Sequence, residues 1–171
     1  MEADRHYQRE LEYYCNCDAL TGMFNRTKFE KDVSRLNEEH PDTIECVYID
    51  VVGLHEINNH LGHQTGDSML CMVAGTARSF FPNDQIYRIG GDEFALIVNG
   101  ALSEEFCAKR TERIKNVLTQ PFVINGQELH IGTSCGSALY PADSTEVKEI
   151  RILADQRMYE DKAHKPGRQG R

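Results

Sequence analysis

The chain has 171 residues, a length that suits one compact domain. Its formal net charge of −8 excludes the basic surface of a general nucleic-acid binder, so a metal ion or a backbone cradle must hold any anionic substrate. Because no apolar run of transmembrane length and no signal peptide occur, we expect no membrane contact by this segment. We expect a cytoplasmic location, either alone or as the cytoplasmic domain of a longer, membrane-anchored protein. Six scattered cysteines without a Cys-x-x-Cys pair predict reduced, mostly buried thiols.

Apolar periodicity and turn residues predict helices and strands in mixed order along the chain. The predicted helices are 4–16, 25–39, a short segment between Gly53 and Leu61, 68–81 with Asp67 as its N-cap, 104–118 and 146–163. The predicted strands are 43–52, 85–89, 94–98, 122–124 and 128–139, with tight turns at Gly90-Gly91 and Asn125-Gly126. Hairpins mixed with helices imply an α+β fold, a mainly antiparallel sheet flanked by helices. We expect residues 1–17 to end an incoming helix or linker, 18–165 to form the domain, and 166–171 to be a flexible basic tail.

One five-residue segment places two acidic groups in a turn between strands. The segment Gly90-Gly-Asp-Glu-Phe94 predicts a hairpin, because tight hairpin turns need positive φ and glycine adopts it freely. Asp50 lies near the end of the predicted strand 43–52. If the two strands are neighbours, about 4.8 Å apart, Asp50 and Asp92 can reach a shared metal ion. Magnesium prefers one or two carboxylates together with phosphate oxygens, so this arrangement favours phosphoryl-transfer chemistry.

The same segment belongs to a series of motifs that runs along nearly the whole chain. They are Asp18-Ala-Leu-Thr-Gly22, Asn25-Arg26, Tyr48-Ile-Asp50, Ile57-Asn58, Leu61-Gly62-His63, Gly66-Asp67, Arg88-Ile-Gly-Gly-Asp-Glu-Phe94, 134–138 (SCGSA), Ala154-Asp155, Tyr159 and Lys162. On these residues the chain resembles the GGDEF family of diguanylate cyclases. The resemblance implies a nucleotidyl-cyclase palm that condenses two GTP molecules into cyclic di-GMP and releases pyrophosphate. It also implies Mg²⁺ or Mn²⁺ as cofactor, a homodimer with one GTP on each subunit, and an upstream sensor domain that acts through the first helix.

The resemblance assigns the metal and catalytic groups to the strand end and the turn. It implies that Asp50, the carbonyl of Val51, Asp92 and Glu93 are metal ligands. It makes Asp92 the acceptor of the ribose 3′-hydroxyl proton and Glu93 a second participant. Taken alone, Asp50 would more often be a cap or turn residue, and the turn carboxylates would be solvated charges.

The guanine contacts implied by the resemblance lie on the helical segments. Asn58 and Asp67 match the recognising pair, in which the carboxylate accepts from ring N–H and amino donors and the amide offers complementary hydrogen bonds. An aspartate at position 67, rather than a serine, favours GTP over mixed GTP and ATP use. Asp67 has the alternative role of a plain helix N-cap, and His63 either touches the nucleotide or orders its turn.

Basic residues at the end of the last helix are the expected triphosphate contacts. Lys162 matches the family's lysine, and Arg168 matches an arginine just beyond it. The spacing is two residues longer than the usual Lys-x-x-Gly-Arg, so Lys165 is an alternative to Arg168. The other interpretation is a solvated basic helix end that complements the helix dipole.

Three positions near the expected phosphate site depart from the family pattern. Val52 stands where an acidic or amide residue is common, Asn59 replaces an aspartate, and His55 replaces the phosphate-facing lysine. Histidine is mostly neutral near pH 7, so His55 is the weaker cation at this substrate-binding position. We therefore expect turnover that is slow or that rises at mildly acidic pH.

The inhibitory motif of the family, Arg-x-x-Asp, is also incomplete. Asp84 is present, but Phe81 occupies the arginine position, and we expect no product binding at this primary site. The departures keep a second function open, a degenerate domain that binds GTP without turnover and regulates a partner. A purely structural dimerisation module is disfavoured, because scaffolding needs none of the acidic and amide residues above.

Overall fold

The helices and strands alternate much as the sequence predicts. A computed structural model describes residues 2–82, 85–100 and 103–164. The helices are α1 (Glu2–Asn16), α2 (Arg26–Glu39), α3 (Leu54–Leu61), α4 (His63–Phe80), α5 (Glu104–Leu118) and α6 (Val147–Ala163). The strands are β1 (Phe24–Asn25), β2 (Ile44–Val52), β3 (Gln85–Arg88), β4 (Glu93–Asn99), β5 (Phe122–Ile124), β6 (Gln127–Leu129) and β7 (Gly132–Tyr140). Among the described residues, no helix combines the length and the apolar character needed to span a membrane.

Five strands form one mixed sheet in the order β1-β3-β4-β2-β7. The short strand β1 pairs with β3 in parallel, and the other neighbours are antiparallel. β5 and β6 form a separate hairpin in which Asn125 (φ 52°) and Gly126 (φ 76°) both adopt the positive φ predicted for an Asn-Gly turn. The predicted segment 128–139 is therefore two strands in two sheets. The predicted α+β class, a mainly antiparallel sheet flanked by helices, is confirmed.

Strand β2 lies inside the sheet, between β4 and β7, and is buried on both faces. Val47, Ile49 and Val51 face a core shared with α3, α4 and α5, whereas Cys46 and Tyr48 face a core shared with α2 and α6. Side chains alternate along a strand, so the position of Asp50 is on the α2 and α6 side. Apolar residues on both faces define the pairing register, because a shift of one residue would exchange the two sets of side chains.

Helix α6 approaches β7 closely because position 136 is a glycine. A Cβ at Gly136 would overlap backbone atoms of α6 at Ala154, Arg157 and Met158. The helix also packs against β2. This contact brings the C-terminal half of α6 over the end of the β2–β4 pair.

Helix α4 begins earlier than the sequence predicts. It starts at His63, directly after Gly62 (φ 87°), and Asp67 lies in its second turn. The prediction that Asp67 is an N-cap is therefore wrong. The physical reason is that Gly62 alone makes the break between α3 and α4, while Gly66 continues the helix.

The cysteines form no disulfide within the described residues. Cys46, Cys107 and Cys135 are buried, and Cys17 is half-buried. The other two, Cys15 and Cys71, are exposed. Three of the six cysteines are therefore fully buried, fewer than the sequence predicts.

Candidate metal and nucleotide site

Three carboxylates meet at one end of the β2–β4 pair. Asp50 lies opposite Glu93 in the antiparallel register, and the N–H of Val51 donates to the carbonyl of Asp92 at 2.8 Å. One carboxylate oxygen from each of Asp50, Asp92 and Glu93 lies within 4.8 Å of the others. The strand end and the turn are thus neighbours, as the metal hypothesis requires, and their oxygens suit a hard divalent cation.

The cluster carries an excess of negative charge. Burial, followed by the charges of Asp50 and Asp92, raises the pKa of Glu93 above its usual value. Asp155 on α6 adds to this rise, and Lys162 opposes it. Asp50 is only 2% exposed, so its charge needs a nearby cation.

Gly90, the first glycine of the acidic turn, serves close packing rather than a left-handed backbone. Neither Gly90 nor Gly91 has φ in the left-handed region, which corrects the expectation of positive φ at this turn. The carbonyl of Glu93 accepts from the N–H groups of Ile89 (2.9 Å) and Gly90 (3.2 Å), so the connection is longer than a two-residue hairpin. A Cβ at position 90 would lie 2.9 Å from Oε2 of Glu93. Glycine leaves room for that carboxylate.

An ion pair fastens the acidic turn to the loop after α1. Nη1 of Arg88 lies 3.1 and 3.2 Å from the two carboxylate oxygens of Asp18, and Nη2 donates to the carbonyl of Gly91 at 2.9 Å. Asp18 also accepts from the backbone N–H and the hydroxyl of Thr21. Although burial alone would raise it, hydrogen bonds from Thr21 and Arg88 lower the pKa of Asp18 overall. Asp18 and Arg88 stand in the matched motifs, but motif spacing gives no sign that they touch.

Asn58 packs directly against α4 at the residue before Asp67. A Cβ at Gly66 would overlap the amide group of Asn58. Oδ1 of Asn58 is buried and has no hydrogen-bond partner among the described residues, and Asp67 is exposed. A buried acceptor that lacks a partner, next to an exposed carboxylate, suits a base edge that presents N–H donors. Gly66 thus leaves room for Asn58 in the candidate site, a role that the motif alone did not reveal.

The two histidines of the predicted site lie on α3 and α4. His63 is the exposed first residue of α4, and its contact with a nucleotide stays a prediction. His55 is exposed in the first turn of α3, and its Nε2 lies 3.0 Å from Nδ2 of Asn59. This contact joins two of the positions that depart from the family pattern.

Lys162 reaches the acidic cluster from α6. Its Nζ lies 2.7 Å from Oδ2 of Asp50, an ion pair rather than an aligned hydrogen bond. The adjacent Asp161 instead pairs with Lys115 at 2.7 Å. Arg168 and its alternative Lys165 lie outside the described residues, so their phosphate contacts stay predictions.

Phe81 forms part of an aromatic contact surface in place of the inhibitory arginine. It is 7% exposed, and its ring lies 5.8 Å from the guanidinium carbons of both Arg110 and Arg113. Asp84 of the incomplete motif lies outside the described residues. The absence of product binding there stays a prediction.

A mixed sheet with convergent carboxylates at β2 and β4, and a buried amide acceptor on the adjoining helix, gives this α+β domain a candidate metal and nucleotide site. The family model described as "Diguanylate cyclase, GGDEF domain" matches residues 15–168. The chain therefore belongs to the GGDEF family.

Relatives of known sequence agree with this assignment. The chain is 34% identical over 167 residues to the uncharacterized protein YhcK of Bacillus subtilis, covering 94% of this chain and 46% of that protein. It is 36% identical over 161 residues to the bifunctional diguanylate cyclase/cyclic di-GMP phosphodiesterase MucR of Pseudomonas aeruginosa, covering 90% of this chain and 23% of that protein. The chain thus spans less than half the length of these relatives.

Solved structures share the fold. The GGDEF domain of TpbB from Pseudomonas aeruginosa has a TM-score of 0.78 at 28% identity, covering 87% of this chain and 90% of that one. The coiled coil and GGDEF domain of DgcB from Caulobacter crescentus, in complex with c-di-GMP, has a TM-score of 0.82 at 23% identity, covering 95% and 88%. The second likeness concerns the fold alone.

Proposed function

We propose that this domain is a diguanylate cyclase that condenses two GTP molecules into cyclic di-GMP and releases two pyrophosphates. The observation that carries the proposal is the convergence of Asp50, Asp92 and Glu93 within 4.8 Å. Such a cluster meets the main demand of phosphoryl transfer, the placement of charge around a triphosphate. The free Oδ1 of Asn58, on the helix that follows β2, supports a purine with N–H donors as the base.

The donor set fits Mg²⁺ or Mn²⁺. Asp50, Asp92 and Glu93 offer hard carboxylate oxygens, and the carbonyl of Val51 is the fourth proposed ligand. The missing Cβ at Gly90 leaves space for Glu93 beside them. A divalent ion held there would offset charge on the phosphate oxygens.

The chain's own groups account for substrate placement and proton transfer. Asn58 Oδ1 and the Asp67 carboxylate accept from the guanine N–H groups, and Lys162 binds the triphosphate. We assign Arg168, His55 and His63 to the same nucleotide, with Lys165 as the alternative to Arg168.

In the reaction itself, Asp92 accepts the ribose 3′-hydroxyl proton, with Glu93 as second participant. The freed oxygen forms a bond to the α-phosphorus of the second GTP, and the bond to pyrophosphate breaks. The reciprocal step closes the ring.

The described residues of each domain form one such cluster, so a product made from two GTP molecules requires two subunits face to face. We propose a homodimer, at least during turnover. On α1, the exposed Tyr7, Leu11 and Tyr14 follow a heptad-like spacing that suits pairing with a second copy. We propose that an upstream sensor domain acts through this helix.

The first test is direct. Concentrated protein is incubated with GTP and Mg²⁺, and the product is identified by chromatography and mass spectrometry. We expect cyclic di-GMP from the parent, none from Asp92→Ala, and parent activity from Glu105→Ala, whose exposed carboxylate pairs only with Lys109 among the described residues. Absence of product from the parent, even after forced dimerisation, would contradict the proposal.

A second function, GTP binding without turnover that regulates a partner, is favoured by one observation. His55 stands at the position that the resemblance assigns to a phosphate-facing lysine, and its Nε2 lies 3.0 Å from Nδ2 of Asn59. Under the cyclase proposal, His55→Lys raises the rate, because a permanent positive charge then faces the phosphates. GTP binding without product, in both the parent and His55→Lys, would favour the regulatory function.

A further inference from the structure

Lys162 and Asp50 form an ion pair inside the acidic cluster. Their closest atoms are 2.7 Å apart, and the two side chains are 30% and 2% exposed. Lys162 is in the last turn of α6. Its ammonium group lies at the acidic cluster, and its side chain is partly exposed to solvent. The pair joins a buried anion to a partly exposed cation.

The charges around this pair are mostly negative. One carboxylate oxygen of each of Asp92 and Glu93 lies within 4.8 Å of a carboxylate oxygen of Asp50. The charge of Asp155, on α6, helps to raise the pKa of Glu93. Within the described residues, Lys162 is the cation in ion-pair contact with this cluster. An unpaired buried Asp50 would be strongly unfavourable, so the ammonium group stabilises the buried carboxylate.

The same ammonium group competes with a divalent ion for Asp50. A divalent ion at Asp50 would lie close to a positive charge and would be repelled by it. The flexible four-carbon stem allows the ammonium group to move away from the carboxylate toward a triphosphate. Asp50 can therefore be neutralised either by Lys162 or by a metal ion.

We propose that Lys162 is an exchangeable counter-ion: it neutralises Asp50 until a divalent ion takes its place, and it then moves to the triphosphate. Metal entry thereby releases the group that binds the phosphates. The exchange rests on the proposed function for the identity of the nucleotide. Its first step, the replacement of Lys162 by a metal ion at Asp50, concerns the nucleotide-free protein.

The exchange predicts opposite effects on two ligands from one substitution. In Lys162→Met, nucleotide-free protein should bind Mn²⁺ at least about fivefold more tightly, since a repelling unit charge is lost. The same variant should bind inorganic triphosphate, in the presence of Mg²⁺, at least about fivefold more weakly, since one phosphate contact is lost. Mn²⁺ binding is measured by electron paramagnetic resonance and triphosphate binding by calorimetry.

Lys115→Met is the matched control. Lys115 also forms a 2.7 Å ion pair, with Asp161, and is similarly buried at 24% exposure, but it does not contact the acidic cluster. It should leave Mn²⁺ and triphosphate binding unchanged. A purely structural role of Lys162 would weaken both ligands together in Lys162→Met, and that result would overturn the exchange, as would unchanged Mn²⁺ affinity.

A measurement on the parent keeps the inference testable if Lys162→Met does not fold. Acetic anhydride labels accessible lysines, and mass spectrometry measures the modified fraction at each one. Mg²⁺ alone should increase labelling of Lys162 several-fold and leave Lys115 unchanged, whereas unchanged labelling of Lys162 at saturating Mg²⁺ would overturn the exchange. None of these measurements requires turnover, so a chain that makes no cyclic di-GMP can still pass or fail them.

Discussion

Gly66→Ala tests whether the amide of Asn58 recognises the base. The new Cβ would overlap Oδ1 and Cγ of Asn58, so the amide must rotate away from α4. Gly66 lies within α4, where alanine is favoured over glycine by about 0.5–1 kcal/mol. The rotation of the partly exposed Asn58 costs a similar amount, so we expect the free energy of unfolding to change by less than about 1 kcal/mol.

The effect on nucleotide binding should be larger. Loss of the Asn58 hydrogen bond leaves a guanine donor without its partner, which costs about 1–3 kcal/mol. This corresponds to GTP binding that is roughly 5- to 150-fold weaker. The assay is calorimetric titration with GTP beside urea denaturation of the same sample.

Gly75→Ala is the matched control on the same helix. A Cβ at position 75 meets nothing within 4 Å, so this variant should gain about 0.5–1 kcal/mol of stability and bind GTP like the parent. A folded Gly66→Ala variant with the parent affinity for GTP would refute the role of Asn58 in base recognition.

Three further predictions concern ion pairs and close packing elsewhere in the fold. Asp18→Asn removes a charged partner of Arg88 and should lower the free energy of unfolding by about 1–2 kcal/mol and reduce cyclase activity. The control Glu105→Gln, at an exposed ion pair, should change the free energy of unfolding by less than about 0.5 kcal/mol. Equal stability of these two variants in urea denaturation would contradict the prediction. Gly136→Ala should cost about 3 kcal/mol because the overlapping atoms are backbone, and a variant with the melting temperature of the parent would disprove the close approach. Hydrogen bonds from Arg157 lower the pKa of Asp143, although burial opposes them. The Asp143 carboxylate therefore stabilises the fold fully above its unfolded-state pKa of about 3.9. This stabilisation is lost as pH falls through the lower pKa of the folded state. Asp143→Asn should therefore lose less stability than the parent between about pH 5 and about pH 3 in denaturant titrations, and parallel losses would argue against the depressed pKa.

Local pattern was sufficient for most of the elements and for the family. Helix α5 and the Asn125-Gly126 turn were predictable because helix periodicity and turn chemistry act over a few residues. The prediction was poorer where one residue had two local interpretations. Asp67 suits an N-cap by type, but the helix start depends on the backbone of Gly62, which a residue pattern does not specify.

The sequence by itself determined the chemical inventory of this protein: the carboxylates at 50, 92 and 93, the amide at 58 and the basic end of the last helix. Only the tertiary structure decided which of them touch. The pairing of Asp50 opposite Glu93 depends on a strand register that the whole core sets, and the contact of Arg88 with Asp18 joins residues 70 positions apart. The ion pair of Lys162 with Asp50 depends on how closely α6 approaches the sheet at Gly136. Such contacts arise from packing between distant segments, and that packing is a property of the folded chain rather than of any local pattern.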